Sequence, residues 1–373
     1  MNPHEVFCPN QECPARGQTG KSNVWIHSRK DKRYKCKVCR RTFRESQSTF
    51  FHGLKTKRVM VALVVTLVAW GCPQVAIVKA FGIDERTVSA WVRCAGVHCE
   101  AVHEHLVMAE PMELVHIQAD EIKVKCQRRS VWMALVLVVP TRLWLSGVVS
   151  EQRDMALIQQ LFAPLRTLAY RQPLLVCVDG FRSYVKVIQK TFRSPVPRNG
   201  RRGRRKWVAW PEIVIAQVVK TRLMHGLDLS RRIVQGSAEQ VSELLECSQG
   251  GIQINTAYIE RLNATLRQRL GTLVRRTRCL AQKTQTLTAG MWLVGTFYNF
   301  CTPHASLRLA PAEQGNRERT PAMAAGLTDH VWTAQELLAF RIPPSRWSPP
   351  KAIGRPSNVT RRLVHEWCSD STG

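Results

Sequence analysis

The sequence predicts a multidomain chain: a cysteine-stapled β-ribbon, then a helix-turn-helix, then an α/β domain built on a mixed sheet. Three observations carry this reading. Two cysteine pairs, Cys8/Cys13 and Cys36/Cys39, fall within the first forty residues. Apolar residues between Lys57 and Arg93 recur with helical spacing on either side of a glycine turn. From Leu114 onward the period shortens to the alternation of strands. The expected boundaries are 1–50 for the ribbon and 51–108 for the helix-turn-helix with a linker helix. The α/β domain follows over 109–308, with a basic insert at about 193–255, and 309–373 forms a basic tail.

Charge narrows the partners. The 373 residues include 55 Lys or Arg against 27 Asp or Glu, a net charge of +28, yet 45% are apolar. That apolar share excludes a disordered polycation. A folded chain so charged repels itself unless a polyanion shares the field, so nucleic acid is the first expectation and an anionic membrane surface the second. The most apolar run, Val59–Trp70, falls short of the ~20 residues of a spanning helix. The other, Val131–Val149, is interrupted by Pro140 and Arg142. MNPHEVFCPN lacks the pattern of a secretory signal, so a soluble, cytoplasmic protein without a membrane partner is expected.

Each N-terminal cysteine pair is close enough to set two thiolates on one turn, and the intervening stretch suits a small ribbon that brings the pairs around a tetrahedral Zn²⁺. About fifty residues with few large aliphatics need such a staple to fold. Four unrelated buried thiols are the alternative. A second group, Cys94, Cys99, His103 and His105, falls in a stretch that reads as a plain linker helix.

Lys57 to Trp70 reads as a helix ending at Gly71, and Pro73 opens a second over Gln74–Phe81. Gly82-Ile83-Asp84 is the turn, with Asp84 as N-cap of Glu85–Arg93. Val88 and Trp91 point inward, which leaves Arg86, Ser89 and Arg93 on the outer face, able to reach base edges. An ordinary helical hairpin without DNA contact is the alternative.

Strands follow over Leu114–Lys125, Ser130–Val139 and Arg142–Ser150, then a helix over Asp154–Tyr170 and an apolar strand over Pro173–Val178. A short helix runs to about Phe192. The basic loop beyond it offers Arg201, Arg202, Arg204, Arg205 and Lys206 to phosphates. Val208–Thr221 is extended, and Ala257–Val274 is a helix with a stripe of Ile259, Leu262, Leu266, Leu270 and Leu273. Thr333 and Glu336 form a capping box for a helix reaching Phe340.

Three carboxylates stand out in this basic chain. Asp120 lies in the first strand of the sheet, Asp179 ends the fourth, and Glu260 shares a helix face with Asn263 and Arg267. Carboxylates from separate segments can hold two divalent cations ~4 Å apart for in-line attack on a phosphodiester. Hard oxygen ligands select Mg²⁺ or Mn²⁺. A turn-forming Asp and a surface Glu paired with Arg261 or Arg267 are the alternative.

Together, these segments resemble bacterial insertion-sequence transposases of the DDE type. The resemblance rests on Tyr34-Lys35-Cys36-Lys37-Val38-Cys39-Arg40-Arg41-Thr42-Phe43, the helix-turn-helix, and Ala119-Asp120-Glu121. It is extended by Val176 to Tyr184, by the run Asn255 to Arg267, by Arg275-Arg276-Thr277-Arg278, and by Asn299 to Ser306. It implies an RNase H-like catalytic core that cleaves and transfers DNA strands with Asp120, Asp179 and Glu260 as the metal-holding triad. It also implies DNA contacts at Asn263 and Arg267, double-stranded DNA as element ends and target, a homodimer or larger assembly on that DNA, and a prokaryotic, nucleoid-associated setting. Glu239, Glu243 and Glu246 compete for the third position. Glu121, next to Asp120, is expected on the opposite strand face. A non-catalytic DNA-binding regulator and an RNase H-like nuclease are the other readings.

Overall fold

Four cysteines and a few small strands organise the start of the chain. In the computed structural model, which describes residues 1–127, 129–196, 205–223, 226–274, 280–309, 318–349 and 354–368, β1 (Val24–Ser28), β2 (Arg33–Cys36) and β3 (Thr42–Arg44) pair antiparallel in sequence order. Tyr34 and Phe43 stack at 5.8 Å and, with Val6 and Val24, form a small core around the buried cysteines. The chain divides into two units, Met1–Arg58 with Leu338–Gly373, and Val59–Leu337. The expected basic tail is therefore split. Helices α10 (Pro321–Ala324) and most of α11 (Ala334–Ala339) belong with the larger unit, whereas Trp367, at the end of α12 (Asn358–Trp367), packs on the ribbon core.

In the larger unit, α1 (Arg58–Ala69) and α2 (Gln74–Phe81) lead to Gly82, whose φ of 62° makes the turn. Asp84 caps α3 by accepting from the Arg86 and Thr87 amides. The helix expected to end at Arg93 and the separate linker are one helix, α3, of 22 residues from Glu85 to Leu106. Its Gly96 lies against the backbone of Ala289, where a Cβ would come within 2.4 Å, so α3 and α9 (Thr284–Cys301) cross in direct main-chain contact.

The sheet contains β4 (His116–Lys125), β5 (Ser130–Val138), β6 (Trp144–Ser150), β7 (Leu174–Asp179), β10 (Ile213–Leu223) and β11 (Gly226–Gln235), in the order β11-β10-β7-β4-β5-β6. Strands β4, β5 and β6 run antiparallel, β7 joins β4 and β10 in parallel, and β11 returns antiparallel on β10. A two-strand ribbon, β8 (Arg193–Pro195) with β9 (Trp207–Ala209), stands apart. The expected helix over Asp154–Tyr170 is broken at Pro164 into α4 (Met155–Phe162) and α5 (Leu165–Leu168), because proline cannot supply the amide that would continue it. With α6 (Arg182–Thr191) these cover one sheet face. On the other face, α7 (Ala238–Cys247) covers β7 and β10, while α8 (Ala257–Arg269) and α9 cover β4 and β5. Helices on both faces cover the mixed sheet, whose inner strands are largely buried, while the edge strand β11 is exposed.

Two further expectations change. Within the stretch 193–255, expected as an insert, β10 lies inside the sheet and α7 packs against it. The helix expected to reach Val274 stops at Arg269, and Leu273 keeps its place in the core from a 3₁₀ turn, Gly271–Leu273. Among the described residues no helix is long and apolar enough to cross a membrane.

Candidate metal centres

The cysteine pairs converge as their spacing predicts. Sγ of Cys8 lies 3.6 Å from that of Cys39, and Sγ of Cys13 lies 3.8 Å from that of Cys36. A tetrahedral ion with metal–sulfur bonds of about 2.3 Å requires sulfur–sulfur edges of about 3.8 Å. The cluster meets that requirement, with Cys8, Cys13 and Cys36 buried and Cys39 half-buried. Thiol hydrogen bonds, from Cys13 first and then Cys8, hold Cys36 below the usual thiol range, while Cys36 pushes Cys13 up. The remaining candidate group does not gather. Cys94 is exposed, Cys99 is buried, and the His103 ring is buried against Trp144 and Trp292.

The carboxylate site forms where two parallel strands part. The ladder between β4 and β7 ends at Gln118 and Cys177, whereas β7 stays paired with β10 as far as Asp179. Continuing the register sets Asp120 level with Asp179, and side chains from both faces of β4 reach the gap. Asp120 turns toward α8, where Asn263 Nδ2 donates to its Oδ2 at 2.8 Å. Glu121 takes the other face, as the pleat requires, yet it is not remote. One oxygen each from Asp120, Glu121 and Asp179 lie within 4.8 Å of one another. Arg153 joins Glu121 at 3.1 Å and Asp179 at 2.7 Å. Its guanidinium also lies over the Phe181 ring at 4.3 Å.

Glu260 lines the same cavity as Asp120 and Asp179, a space of 570 Å³ that Arg153, Lys220 and Thr256 also border. Its Oε1 meets Lys220 Nζ at 2.5 Å and accepts the Thr256 hydroxyl at 2.9 Å. Burial, reinforced by the Asp179 and Glu260 carboxylates, raises Asp120 to about 6. Burial and Asp179 raise Glu121 to about 7 against the opposing pull of Arg153. The oxygen cluster therefore resists carrying its full negative charge unless a cation enters. It can hold one, and the donor set of hard oxygens suits a hard ion.

Two polar residues that sequence reasoning passed over build this geometry. Gln118 is fully buried, and its Oε1 accepts the backbone amides of Tyr258 at 3.0 Å and Ile259 at 3.1 Å. Thr256, the N-cap of α8, makes no side-chain cap of its own, so a side chain from β4 caps the helix that carries Glu260. The second is Gln217 on β10, which donates to the Asp179 carbonyl at 2.8 Å and accepts from Arg232. A polar residue two positions from Asp120 on the same strand, and so on the same face, was the available signal for Gln118.

The other expected site residues are dispersed. Arg86, Ser89 and Arg93 are exposed on α3, with Val88 and Trp91 buried behind them. Arg205 and Lys206 are exposed, and Arg201, Arg202 and Arg204 lie outside the described residues, as does 275–278. Arg267 is half-buried. Asn263, expected on a polar helix face open to DNA, is buried against Asp120 because the helix turns that edge toward the sheet. Glu239, Glu243 and Glu246 are exposed on α7, outside the cavity of Asp120 and Asp179. No protein-family model matches the chain, and no curated protein matches it either.

Proposed function

We propose that the chain is a DDE-type transposase that binds the ends of its own insertion element and carries out metal-dependent strand cleavage and transfer. One observation carries the reading: Asp120, Asp179 and Glu260, from three segments that resemble this family, border one cavity. A mixed sheet with helices on both faces suits an RNase H-like core, and α1 to α3 with the Gly82 turn suit a helix-turn-helix. The sulfur spacing suits structural Zn²⁺.

In this reading Asp120 and Asp179, with Glu121 and Glu260 on either side, hold Mg²⁺ or Mn²⁺. Divalent ions held by these carboxylates would supply activation of an attacking hydroxyl and charge stabilisation for the leaving oxygen of a phosphodiester. Asn263 orients Asp120, and Gln118 holds α8 so that Glu260 faces the cavity. Lys220, paired with Glu260 beside the cavity, would offer a cation to a substrate phosphate. Double-stranded DNA is the partner, and two ends processed together call for at least a homodimer. The test is Asp179→Ala. It abolishes Mg²⁺-dependent cleavage and joining on DNA carrying this gene with its flanks, and it leaves binding intact. Full cleavage by that variant would remove the proposal.

A non-catalytic DNA-binding regulator is the second reading. The Arg153 bridge favours it, since one guanidinium already pairs with both Glu121 and Asp179. Absence of cleavage by the wild-type chain with Mg²⁺ and with Mn²⁺, alongside specific binding, would select it.

A further inference from the structure

The ribbon carries a second charged cavity, in which cations outnumber carboxylates. Lys30 and Lys32 lie in the turn between β1 and β2, Arg33 opens β2, Arg44 closes β3, and Arg58 opens α1. With Asp31, Glu45 and Ser46 they line a space of 410 Å³. Arg33 and Arg44 are direct partners in the β2–β3 ladder, and like charges at that position destabilise a sheet. The two carboxylates do little to offset them. Asp31 accepts the Ser28 hydroxyl at 2.9 Å within its own turn, and Glu45 faces Arg58 at 3.7 Å. Arg33 is steadied by a bond of 2.7 Å to the Thr42 hydroxyl, so the paired guanidinium groups start from a fixed base on a small sheet.

We infer that this cavity binds the phosphodiester backbone of duplex DNA, with Arg33 and Arg44 gripping one phosphate and Lys30 and Lys32 its neighbour. A phosphate relieves the like-charged pair, and two guanidinium forks match its oxygens. Five cations lining one cavity with two carboxylates give the charge complementarity that commits it to a polyanion. The inference rests on the nucleic-acid part of the proposed function. It deepens that reading by assigning grip to the ribbon and leaving base readout to α3.

The experiment uses the full zinc-loaded chain and a fluorescent random-sequence duplex, with affinity measured by anisotropy across a range of KCl. Arg44→Ala lowers the log–log salt slope by about 1 and the affinity by roughly tenfold. Arg33→Ala/Arg44→Ala loses less than the two single losses combined, because both side chains hold one phosphate. Arg44→Ala keeps its zinc and melts no lower than wild type without DNA, since it relieves repulsion. Lys30→Ala/Lys32→Ala, confined to an exposed turn, lowers the slope as well. Unchanged affinity and slope in these variants overturns the inference, as does a loss tracked by lost zinc or a lower melting temperature. Displacement by inorganic phosphate at an ionic strength where chloride has no effect also overturns it, marking a small-anion site only. Failure of the wild-type chain to bind any duplex fells the proposed function too, whereas full cleavage by Asp179→Ala fells the catalytic reading and leaves this site standing.

Discussion

Asn263 on α8 donates its side-chain amide to Asp120 on β4 at 2.8 Å. The bond ties the helix that carries Glu260 to the strand that carries the first carboxylate. It is buried, and the other polar atom of Asn263, Oδ1, has no hydrogen-bond partner among the described residues. Asn263→Ala removes a hydrogen bond to the ionised Asp120 and so raises its pKa further. The expected result is a 10- to 100-fold loss of Mn²⁺ affinity, read by calorimetric titration, with the fold retained. Unchanged affinity would mean that Asp120 does not hold the ion.

The cap supplied by Gln118 makes a separate prediction. Gln118→Leu leaves the Tyr258 and Ile259 amides buried without an acceptor, at a cost of about 1–3 kcal/mol in urea unfolding. Gln118→Glu keeps an acceptor at a helix N-terminus and recovers most of that loss. If Leu and Glu behave alike, the cap contributes nothing.

Acidity of the oxygen cluster sets a pH dependence. Asp120 is raised to about 6 and Glu121 to about 7 in the fold, above the values of 3.8 and 4.5 for the free groups. The folded state therefore holds protons that the unfolded chain has already released, and these groups stabilise the fold at low pH. That contribution is lost as pH rises from about 4 to about 7. In EDTA, the stability of wild type relative to Asp120→Asn/Glu121→Gln should fall across this window. Adding Mg²⁺ should largely abolish the fall. A difference that stays flat in EDTA would show that neither carboxylate is perturbed.

Two buried histidines act in the opposite sense. Burial depresses His103 to about 4, and burial with the Arg142 charge depresses His116 to about 3. Their stabilising contribution is complete above pH 6.5 and is lost as pH falls toward about 4 for His103 and about 3 for His116. His116→Gln should reduce the acid sensitivity of unfolding below pH 6 in any metal condition. Equal acid sensitivity in that variant would mean that His116 is charged within the fold.

Metal content tests the ribbon directly. Purified protein should hold one zinc per chain, and Cys36→Ser/Cys39→Ser should hold none. Zinc retained by the double variant would place the ion elsewhere.

Much of this was legible in the sequence because it is local. The cysteine pairs, the Asp84 cap, the Gly82 turn and the alternation through β4 to β6 each depend on residues a few positions apart. What was not legible depends on distant partners. Whether Glu121 meets Asp179 turns on where β4 and β7 stop pairing, which no single strand records. The cap from Gln118 reaches a helix far along the chain. The apolar run from Ile213 to Val219 looks like any strand, but the basic loop before it suggested an insert rather than an inner strand beside β7. The leucine stripe of α8 overran the true end because Leu273 stays buried from a 3₁₀ turn.

Helix α3 leaves its Asp84 cap and continues without a break to Leu106, and near its far end His103 meets the Leu145 carbonyl of β6 at 2.9 Å. Between Arg86 and His103 this is a rod of about 25 Å. Anything gripped by its first turn is thereby held at a set distance from the sheet, where a flexible tether would only confine it to a neighbourhood. Reach becomes a matter of counting residues: each one added to α3 lengthens the rod by about 1.5 Å and swings its first turn by about 100°. The helix works as a gauge whose graduations are written in its own length.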